Sequence, residues 1–322
     1  MARTVVGILR GGTSPEYDLS LKTGAAVLNA LPEEQYDTRD IFIDKTGLWH
    51  SRGIPAEPAR ALSQVDVVVN ALHGGVGEDG TVQRIMDRLS VPYVGSGPLE
   101  SALSLNKIRT GITLKQSGIR MPRAVAFSHE SDMPVTDMAK LVFSHFGPPY
   151  ILKPPAGGAS HGIVLVRTIV ELPERIADSL EAYGAALVEE YVIGDEATVG
   201  VIDDFRGEEL YALPPARVLY PNESPFLHFD HHARGDLRYL VPSEFSDLEK
   251  RALMDAARAA HRSLGLSGFS RADFILTRRG PYLLEVNAYP GLHEHAAFPH
   301  MLESVGASIK DLLGHALELS RR

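Results

Sequence analysis

The sequence predicts an α/β protein in which an N-terminal open parallel-sheet domain is followed by two α+β subdomains. Strand, glycine-rich loop and helix alternate from Thr4 to about residue 100, which is typical of a parallel sheet covered by helices. Beyond residue 105 the pattern changes to a small α+β unit, and Glu196–Ile202 and Leu210–Val218 then resemble antiparallel strands of a third unit. A hairpin, Phe269–Asn287, follows near the C-terminal end. We therefore expect domains at 1–104, 105–192 and 193–322.

Composition and charge narrow the function classes. The chain has 322 residues and a formal net charge of −9, so affinity for nucleic acid or for an anionic membrane is not expected. It contains no cysteine, which excludes disulfides, thiolate metal sites and a cysteine nucleophile. No apolar run approaches the about 20 residues that span a bilayer, and Val5–Leu9 reads as a strand rather than a signal peptide. We expect a cytoplasmic protein.

The N-terminal unit brings two polar side chains to one edge of its sheet. We expect a strand over Thr4–Leu9, followed by a helix that begins at Glu16. The continuous apolar run within Gln64–Leu72 is typical of a buried parallel strand, and a glycine loop and a second helix follow it. Open α/β sheets bind ligands at the carboxyl ends of their strands. Glu16 and His73 lie just past two such ends and are therefore candidate binding residues.

The rest of the chain is predicted to contain further helices and strands and one long loop. Ser246 and Glu249 form a capping box that opens a helix ending near Leu264. Residues 220–245 show no clear periodicity, and a loop of that length inside a compact domain is usually functional. The buried stripe of the capped helix is predicted to be Leu248, Ala252, Ala256, Ala260 and Leu264. We also expect helices over 106–117, 171–183 and 309–319, and strands over 150–153, 163–166, 186–191, 196–202 and 210–218.

Four polar side chains share one face of the hairpin. If its turn centres on Arg279, Asp273 lies across from Glu285. Arg271 then lies across from Asn287 on the same face, because side chains alternate along a strand. Directly opposed carboxylates have Cβ atoms about 4.5–5.5 Å apart and repel each other. A divalent cation would compensate them, with Asn287 as a further oxygen ligand. The alternative is a solvated face with an Arg–Asp pair.

Two glycine-rich loops are candidate anion sites. His73–Gly80 joins a buried strand to a helix N-terminus, where backbone N–H groups favour an anion. Lys153–Gly162 begins with a lysine and would fold over nucleotide phosphates, with Lys153 and Lys107 as point charges on their oxygens. It lacks the Gly-Lys-Ser/Thr ending of a P-loop. A tight turn and an ordinary glycine-rich hairpin are the alternatives for these two loops.

A third candidate segment, Glu189-Glu190-Tyr191-Val192, ends a strand and would offer backbone groups to an adenine ring, while Glu196 would take a ribose hydroxyl. In this order the blocks resemble the D-alanine–D-alanine ligases of the ATP-grasp superfamily over nearly the whole chain. The resemblance implies an ATP-grasp fold with ATP between the second and third domains. The matching blocks are Gly11–Ser20, His73–Gly80, Pro92–Gly97, Ser101–Lys107, Lys153–Gly162, Glu189–Glu196, Arg271–Phe274 and Glu285–Pro299.

The resemblance also implies cofactors and roles. Two Mg²⁺ ions, replaceable by Mn²⁺, would be held by residues matching Asp273, Glu285 and Asn287, and a homodimer would be usual. Arg271 would stabilise a tetrahedral oxyanion. Glu16 would hold the ammonium of the first amino acid, with His73 near it, and Ser160 is the serine retained in the phosphate loop. The residues implied to bind ATP are Lys107, Lys153, Gly157, Gly158, Glu189, Glu190, Tyr191, Val192, Glu196 and Arg234.

Departures from the family pattern cluster around the substrates. Ala159, Gly235 and Ala296 stand where the family has hydroxyl-bearing residues, Asn106 stands for an aspartate, and Arg234 replaces the lysine of a lid over residues 226–240. We therefore expect altered substrate choice. If the lid closes, five histidines would bind an acidic second substrate or an extra metal; the alternative is a hydrated loop. These are His228, His231, His232, His293 and His295.

The leading hypothesis is an ATP-dependent ligase that forms D-alanyl-D-alanine through an acyl phosphate for peptidoglycan precursor synthesis. The same chemistry on another amino-acid or hydroxy-acid pair is the second hypothesis. A non-catalytic nucleotide-binding relative is the third. The third hypothesis is disfavoured because the chain retains Lys107, Lys153, Arg271, Asp273, Glu285 and Asn287.

Overall fold

The computed structural model describes residues 3–157, 162–220 and 237–321. Its strands form three sheets, one for each third of the chain, with helices packed against them. The predicted mixed α/β class is confirmed. In the described ranges, no helix is both long and apolar enough to cross a membrane.

The N-terminal sheet contains β1 (Thr4–Gly11), β2 (Tyr36–Ile43), β3 (Trp49–Ser51), β4 (Ile54–Pro55), β5 (Val67–Asn70) and β6 (Tyr93–Val94). Its strand order is β4-β3-β2-β1-β5-β6, and β1 is parallel to both β2 and β5. The parallel sheet predicted for this region is confirmed. Residues Val67–Asn70 are all buried, as expected for an apolar strand covered on both faces. Its helices are α1 (Tyr17–Ala30), α2 (Pro58–Ala61), α3 (Thr81–Arg88) and α4 (Pro98–Leu105).

The central sheet contains β7 (Ala124–Ser128), β8 (Tyr150–Lys153), β9 (Val164–Val166) and β10 (Ala185–Glu190). Its order is β7-β10-β8-β9, and all its pairs are antiparallel. Helices α6 (Val135–His145) and α7 (Leu172–Tyr183) cover it and share its apolar core. This core is separate from the others, so the sheet packs as a unit of its own.

The C-terminal sheet contains β11 (Asp195–Asp203), β12 (Leu210–Ala212), β13 (Ala216–Leu219), β14 (Arg238–Leu240), β15 (Phe269–Thr277) and β16 (Gly280–Asn287). Its order is β14-β13-β11-β15-β16, with β12 on β11. The helices of this part are α8 (Asp247–Ser263), α9 (Ala297–Ser304) and α10 (Ile309–Leu319). Both the central and the C-terminal units are therefore α+β, as predicted.

Two helices pack outside the unit in which sequence order would place them. Leu312 and Leu313 of α10 lie in one buried cluster with Val6 and Val67 of the N-terminal sheet. Leu114, from α5 (Lys107–Gln116), packs in the core of the C-terminal sheet. The first and last thirds of the chain thus share apolar cores. The boundaries at 104/105 and 192/193 stay predictions.

Two expectations about single elements were wrong. The strand expected over 210–218 is split into β12 and β13, because Pro214 and Pro215 cannot donate to a ladder. In α8 the predicted stripe fails at Leu248, which is 72% exposed, whereas Leu253 and Ala257 are buried. Alanine is found on both the buried and the exposed faces of helices. The three alanines of the predicted stripe therefore did not determine which face of α8 is buried. Residues 226–236 of the predicted lid lie outside the described ranges.

Candidate active site

The hairpin of β15 and β16 places the predicted metal ligands on one face. Asp273 pairs with Glu285, and Arg271 pairs with Asn287, as predicted. The turn, however, is the two-residue Arg278–Arg279 rather than one centred on Arg279. A register shift directly after Asp273 inserts one extra residue in β16, and this bulge brings the two carboxylates opposite each other.

Asp273 is held from three sides. The Thr198 hydroxyl donates to its Oδ1 at 2.6 Å, and the Asn287 amide donates to its Oδ2 at 3.2 Å. Arg271 donates from Nε to Oδ1 at 2.9 Å and from Nη2 to Oδ2 at 2.8 Å. Burial lowers the pKa of Arg271, but the neighbouring Asp273 carboxylate raises it well above its ordinary value. The guanidinium is therefore a fixed cation in the centre of this face.

Lys107 links the hairpin to the predicted phosphate loop, Lys153–Gly162. Its Nζ lies 3.2 Å from Glu285 Oε2 and donates to the Gly157 carbonyl at 2.6 Å. Burial opposes ionisation of Glu285, but Lys107, Lys153 and Arg271 lower its pKa to about 2. Glu285 therefore carries a negative charge throughout the physiological pH range.

Lys153 and Glu189 form a buried ion pair on the same side. Their charged atoms are 2.8 Å apart, and the two side chains are 6% and 8% exposed. Burial lowers the pKa of Lys153, but Glu189 raises it above its usual value. Nearby, burial and then the charges of Asp273 and Glu285 raise the pKa of Glu196 to about 8. A carboxyl group that keeps its proton beside two carboxylates indicates excess negative potential on this face.

Asp273, Glu285 and Asn287 suit a hard divalent cation. Mg²⁺ is usually bound by one or two carboxylates together with substrate phosphates and water. The raised pKa of Glu196 independently indicates that a cation would be stabilised at this position. Across residues 3–157, 162–220 and 237–321 no three His, Asp or Glu side chains are arranged as a complete metal site. A bound ion would therefore need phosphate oxygens to complete its ligands.

A second cluster gathers around Glu16, at the carboxyl ends of β1 and β5. The His73 ring lies 2.8 Å from the Thr23 hydroxyl through Nε2 and 3.6 Å from Glu78 through Nδ1. Burial, and then the charge of Glu78, raise the pKa of Glu16 to about 7. A buried carboxyl group beside a second carboxylate forms a site for a cation such as an ammonium group.

Gly74 is required for this arrangement. Its φ is +61°, and a Cβ atom built on it would lie 2.6 Å from the Glu16 carboxylate. Any other residue at this position would be strained and would displace Glu16.

One cleft connects the two clusters. Glu16, His73 and Glu78 lie at one end, with Arg271 and Asn287 on the hairpin side. The cleft also reaches the segment after β16, where His293, His295 and Ala296 line it. Groups able to hold an ammonium and a carboxylate thus line one cleft, which borders the hairpin that carries Asp273 and Glu285.

Comparison with known proteins identifies the family. A family model described as "D-ala D-ala ligase C-terminus" matches residues 113–318, and one described as "D-ala D-ala ligase N-terminus" matches residues 50–96. A D-alanine–D-alanine ligase of Anaeromyxobacter sp. (strain K) is 34% identical, over 97% of this chain and 96% of its own. The chain belongs to the D-alanine–D-alanine ligase family. Another member of this family, from Desulforudis audaxviator, is 32% identical over 98% of both chains.

Solved structures of D-alanine ligases agree with the fold. VanG D-Ala:D-Ser ligase from Enterococcus faecalis superposes with a TM-score of 0.85 at 25% identity, covering 99% of this chain and 100% of its own. The D-alanine–D-alanine ligase from Bacillus anthracis, complexed with ATP, gives a TM-score of 0.82 at 25% identity, with 99% and 98% covered. The ATP-grasp fold predicted from the family resemblance is therefore confirmed.

Some of the predicted family residues are placed away from the cluster. The Glu190 carboxylate accepts from the Arg123 backbone N–H at 2.9 Å and from its Nε at 2.7 Å. The N–H groups of Glu190 and Tyr191 donate to the carbonyls of Arg123 and Pro149. An adenine ring at this edge would therefore have to use other backbone groups, such as those of Val192. Gly158, Ala159, Ser160, His228, His231, His232, Arg234 and Gly235 lie outside the described residues.

Three side chains with polar groups that line the cleft were not predicted from the sequence. Glu78 lies in the predicted glycine loop, and its position five residues after His73 was the available signal. Tyr239 lies in a stretch without periodicity, so only the structure reveals it. Tyr289 donates from its hydroxyl to the Ser96 carbonyl at 2.7 Å and so joins the cleft floor to the N-terminal domain.

Proposed function

We propose that this protein joins two molecules of D-alanine to D-alanyl-D-alanine, with hydrolysis of ATP to ADP and phosphate, for peptidoglycan precursor synthesis. The observation that carries the proposal is the cleft lined by the Glu16 and Glu78 carboxyl groups together with Arg271 and Asn287 of the hairpin. An amino acid held there has its ammonium at the carboxyl pair and its carboxylate toward the phosphates.

The chemistry takes two steps. A carboxylate oxygen of the first D-alanine attacks the γ-phosphorus of ATP, the bond to the β-phosphate oxygen breaks, and an acyl phosphate and ADP are formed. The nitrogen of the second D-alanine then attacks the acyl carbon, and phosphate leaves with the C–O bonding electrons. We propose that Lys107 and Lys153 hold phosphate oxygens and that Arg271 acts at the acyl carbon; the support is the position of both lysines beside buried carboxylates and of Arg271 in the cleft lining.

Asp273, Glu285 and Asn287 would hold Mg²⁺, which when bound offsets the charge of the phosphate oxygens and makes the γ-phosphorus more open to attack. We propose two ions in this site, with Mn²⁺ able to replace Mg²⁺. The support is the opposed carboxylates of β15 and β16 and the family resemblance. Without the ion, Arg271 and Lys107 are the charge partners of the two carboxylates.

We also propose that the protein works in the cytoplasm as a homodimer, with domains at 1–104, 105–192 and 193–322. Family membership supports the compartment and the assembly, and the three sheets support the domains. The net charge of −9 gives no reason to expect nucleic acid or membrane as partners. Size-exclusion chromatography with light scattering tests the assembly.

The deciding experiment is a screen for ADP release with single amino acids and pairs, including D-alanine, L-alanine and D-serine. We expect release with D-alanine alone and a product with the mass of D-alanyl-D-alanine. Release only when D-alanine is paired with another acceptor would reject the substrate assignment but keep the ligase. Binding of Mg–ATP without turnover on any pair would reject the enzyme.

A further inference from the structure

Tyr239 reaches the same face as the metal hairpin. It pairs with Val218 in the ladder between β13 and β14. Two residues earlier in β13, Ala216 pairs with Thr198, which in turn pairs with Asp273. Because side chains alternate along strands, Tyr239, Val218, Thr198 and Asp273 lie on one side of the sheet. The phenol therefore extends over Val218 toward the reacting centre.

Tyr239 stands where two clefts meet. It lines the substrate cleft that contains Glu16, and it lines the adjoining cleft that contains Glu196 and Asp273. Arg271 is also common to both clefts. The His300 ring packs against the Tyr239 ring with centroids 6.0 Å apart and planes at 38°, which fixes its direction. The Tyr239 side chain thus lies at the junction of the two clefts and is held there by His300, unlike a tyrosine on the open surface.

The Tyr239 hydroxyl is a hydrogen-bond donor at working pH. Burial raises its pKa to about 12, although the Arg271 guanidinium acts in the opposite direction. Arg271 uses Nε and Nη2 on Asp273. Within the described residues, its Nη1 makes no hydrogen bond, so two N–H groups of Arg271 remain for a ligand beside the phenol. Arg271 and Tyr239 together offer donors to one anionic oxygen.

We propose that Tyr239 is a further catalytic residue, which donates with Arg271 to the carbonyl oxygen of the acyl phosphate during attack by the second amino acid. The inference rests on the proposed function. The attacking nitrogen forms the C–N bond, and the C=O electron pair moves to the oxygen held by the two donors. The C=O bond then re-forms, the bond to phosphate breaks, and the nitrogen's proton leaves with the phosphate. Donors aimed at the oxygen stabilise it most when its charge is greatest.

The test is Tyr239→Phe, which removes one oxygen atom and keeps the ring against His300. Two acceptors are compared: D-alanine, and hydroxylamine, which has no carboxylate. We expect kcat to fall by about 100-fold with both acceptors, the loss typical of one oxyanion donor. The dissociation constant of Mg–ADP should not change. Because the second step becomes slow, rapid-quench measurement should show a burst of about one ADP per active site.

Tyr211→Phe is the matched control, because Tyr211 packs on Phe205 away from the cleft and its variant should behave as the wild type. A loss with D-alanine but not with hydroxylamine would overturn the inference, because Tyr239 would then bind the acceptor's carboxylate. A slow reaction without an ADP burst would also overturn it, and so would unchanged kcat. Thermal unfolding of each variant separates these outcomes from misfolding. If wild-type protein releases no ADP with D-alanine, the proposed function fails instead.

Discussion

At the scale of single residues, the two carboxylates of the hairpin have different charge partners, although both are predicted metal ligands. Glu285 is paired with Lys107, and Asp273 with Arg271. Each cation neutralises a carboxylate that would otherwise repel its neighbour across the ladder. If a metal ion took over this neutralisation, as we propose, Arg271 and Lys107 would become available to the substrates, and metal binding and substrate binding would be linked.

The first prediction concerns these ligands. Asp273→Asn or Glu285→Gln should reduce ADP release by about 100-fold or more, because an amide is a neutral and weaker ligand for the ion. Circular dichroism should show a retained fold. Asp255→Asn, at a surface position on α8, is the matched control and should leave the rate unchanged. Near-normal rates in both site variants would reject the metal assignment.

The second prediction concerns the pH dependence of substrate binding. Burial, with the charge of Glu78, raises the pKa of Glu16 to about 7, and only its ionised form pairs with an ammonium group. The ionised fraction rises from about 10% at pH 6 to about 90% at pH 8, so the affinity for the first amino acid should rise about tenfold over this range. Initial-rate measurements of KM against pH test this.

The matched variant is Glu16→Gln, which cannot ionise and should give a weaker and pH-independent affinity. A flat profile in the wild type would contradict the role of Glu16.

The raised pKa of Glu16 also has a consequence for the stability of the protein without ligand. Between about pH 4.5 and 7 the folded state holds a proton that the unfolded state releases, so the free energy of unfolding should decrease as pH rises.

At the scale of elements, the sequence predicted the hairpin register because alternation fixes which side chains share a face. The pairing of Asp273 with Glu285 was correct although the turn was misplaced, since the bulge restored the offset that the shorter turn removed. The bulge itself has no glycine or proline to announce it. Tyr239 could not be predicted either, because β14 has only three residues and the sequence before it shows no periodicity.

The capping box of α8 gives the third prediction. The Ser246 hydroxyl accepts from the Glu249 N–H, and the Glu249 carboxylate accepts from the Ser246 N–H at 2.8 Å. Ser246→Ala should lower the free energy of unfolding by about 1 kcal/mol. Urea denaturation measures it. Ser144→Ala, at an exposed position inside α6, is the control and should be neutral or slightly stabilising. Equal losses in the two variants would argue against a capping role.

At the scale of the whole molecule, the N-terminal sheet and the C-terminal helix α10 depend on each other. Leu312 is fully buried among residues of both. Local periodicity predicted α10 as a helix with its bounds, Ile309–Leu319. Periodicity could not predict which sheet α10 packs on, because an apolar helix face can pack against any apolar surface. The same limit applies to Leu114, whose helix packs on the third sheet rather than the second.

The fourth prediction follows from this shared core. Leu312→Ala should lower the free energy of unfolding by about 2–5 kcal/mol, the usual range for a buried leucine. Trp49, the single tryptophan, lies in the N-terminal sheet and reports on it by fluorescence. Its unfolding transition should shift together with the circular dichroism signal.

Leu248→Ala is the control for this experiment. Leu248 is 72% exposed on α8, so its truncation should change the free energy of unfolding by no more than about 0.5 kcal/mol. A Trp49 transition that stays in place while the circular dichroism transition moves would show that the two parts unfold independently.

The docking of α10 on the N-terminal sheet has a consequence for biosynthesis. The ribosome finishes β6 at Val94 but begins α10 only at Ile309. At usual translation speeds of about 5–20 residues per second, the interval is roughly 10–40 s. During this interval the apolar residues of the N-terminal sheet that contact α10 in the folded protein are not yet covered by it. Newly made chains should therefore be clients of ribosome-associated chaperones until the last helix emerges.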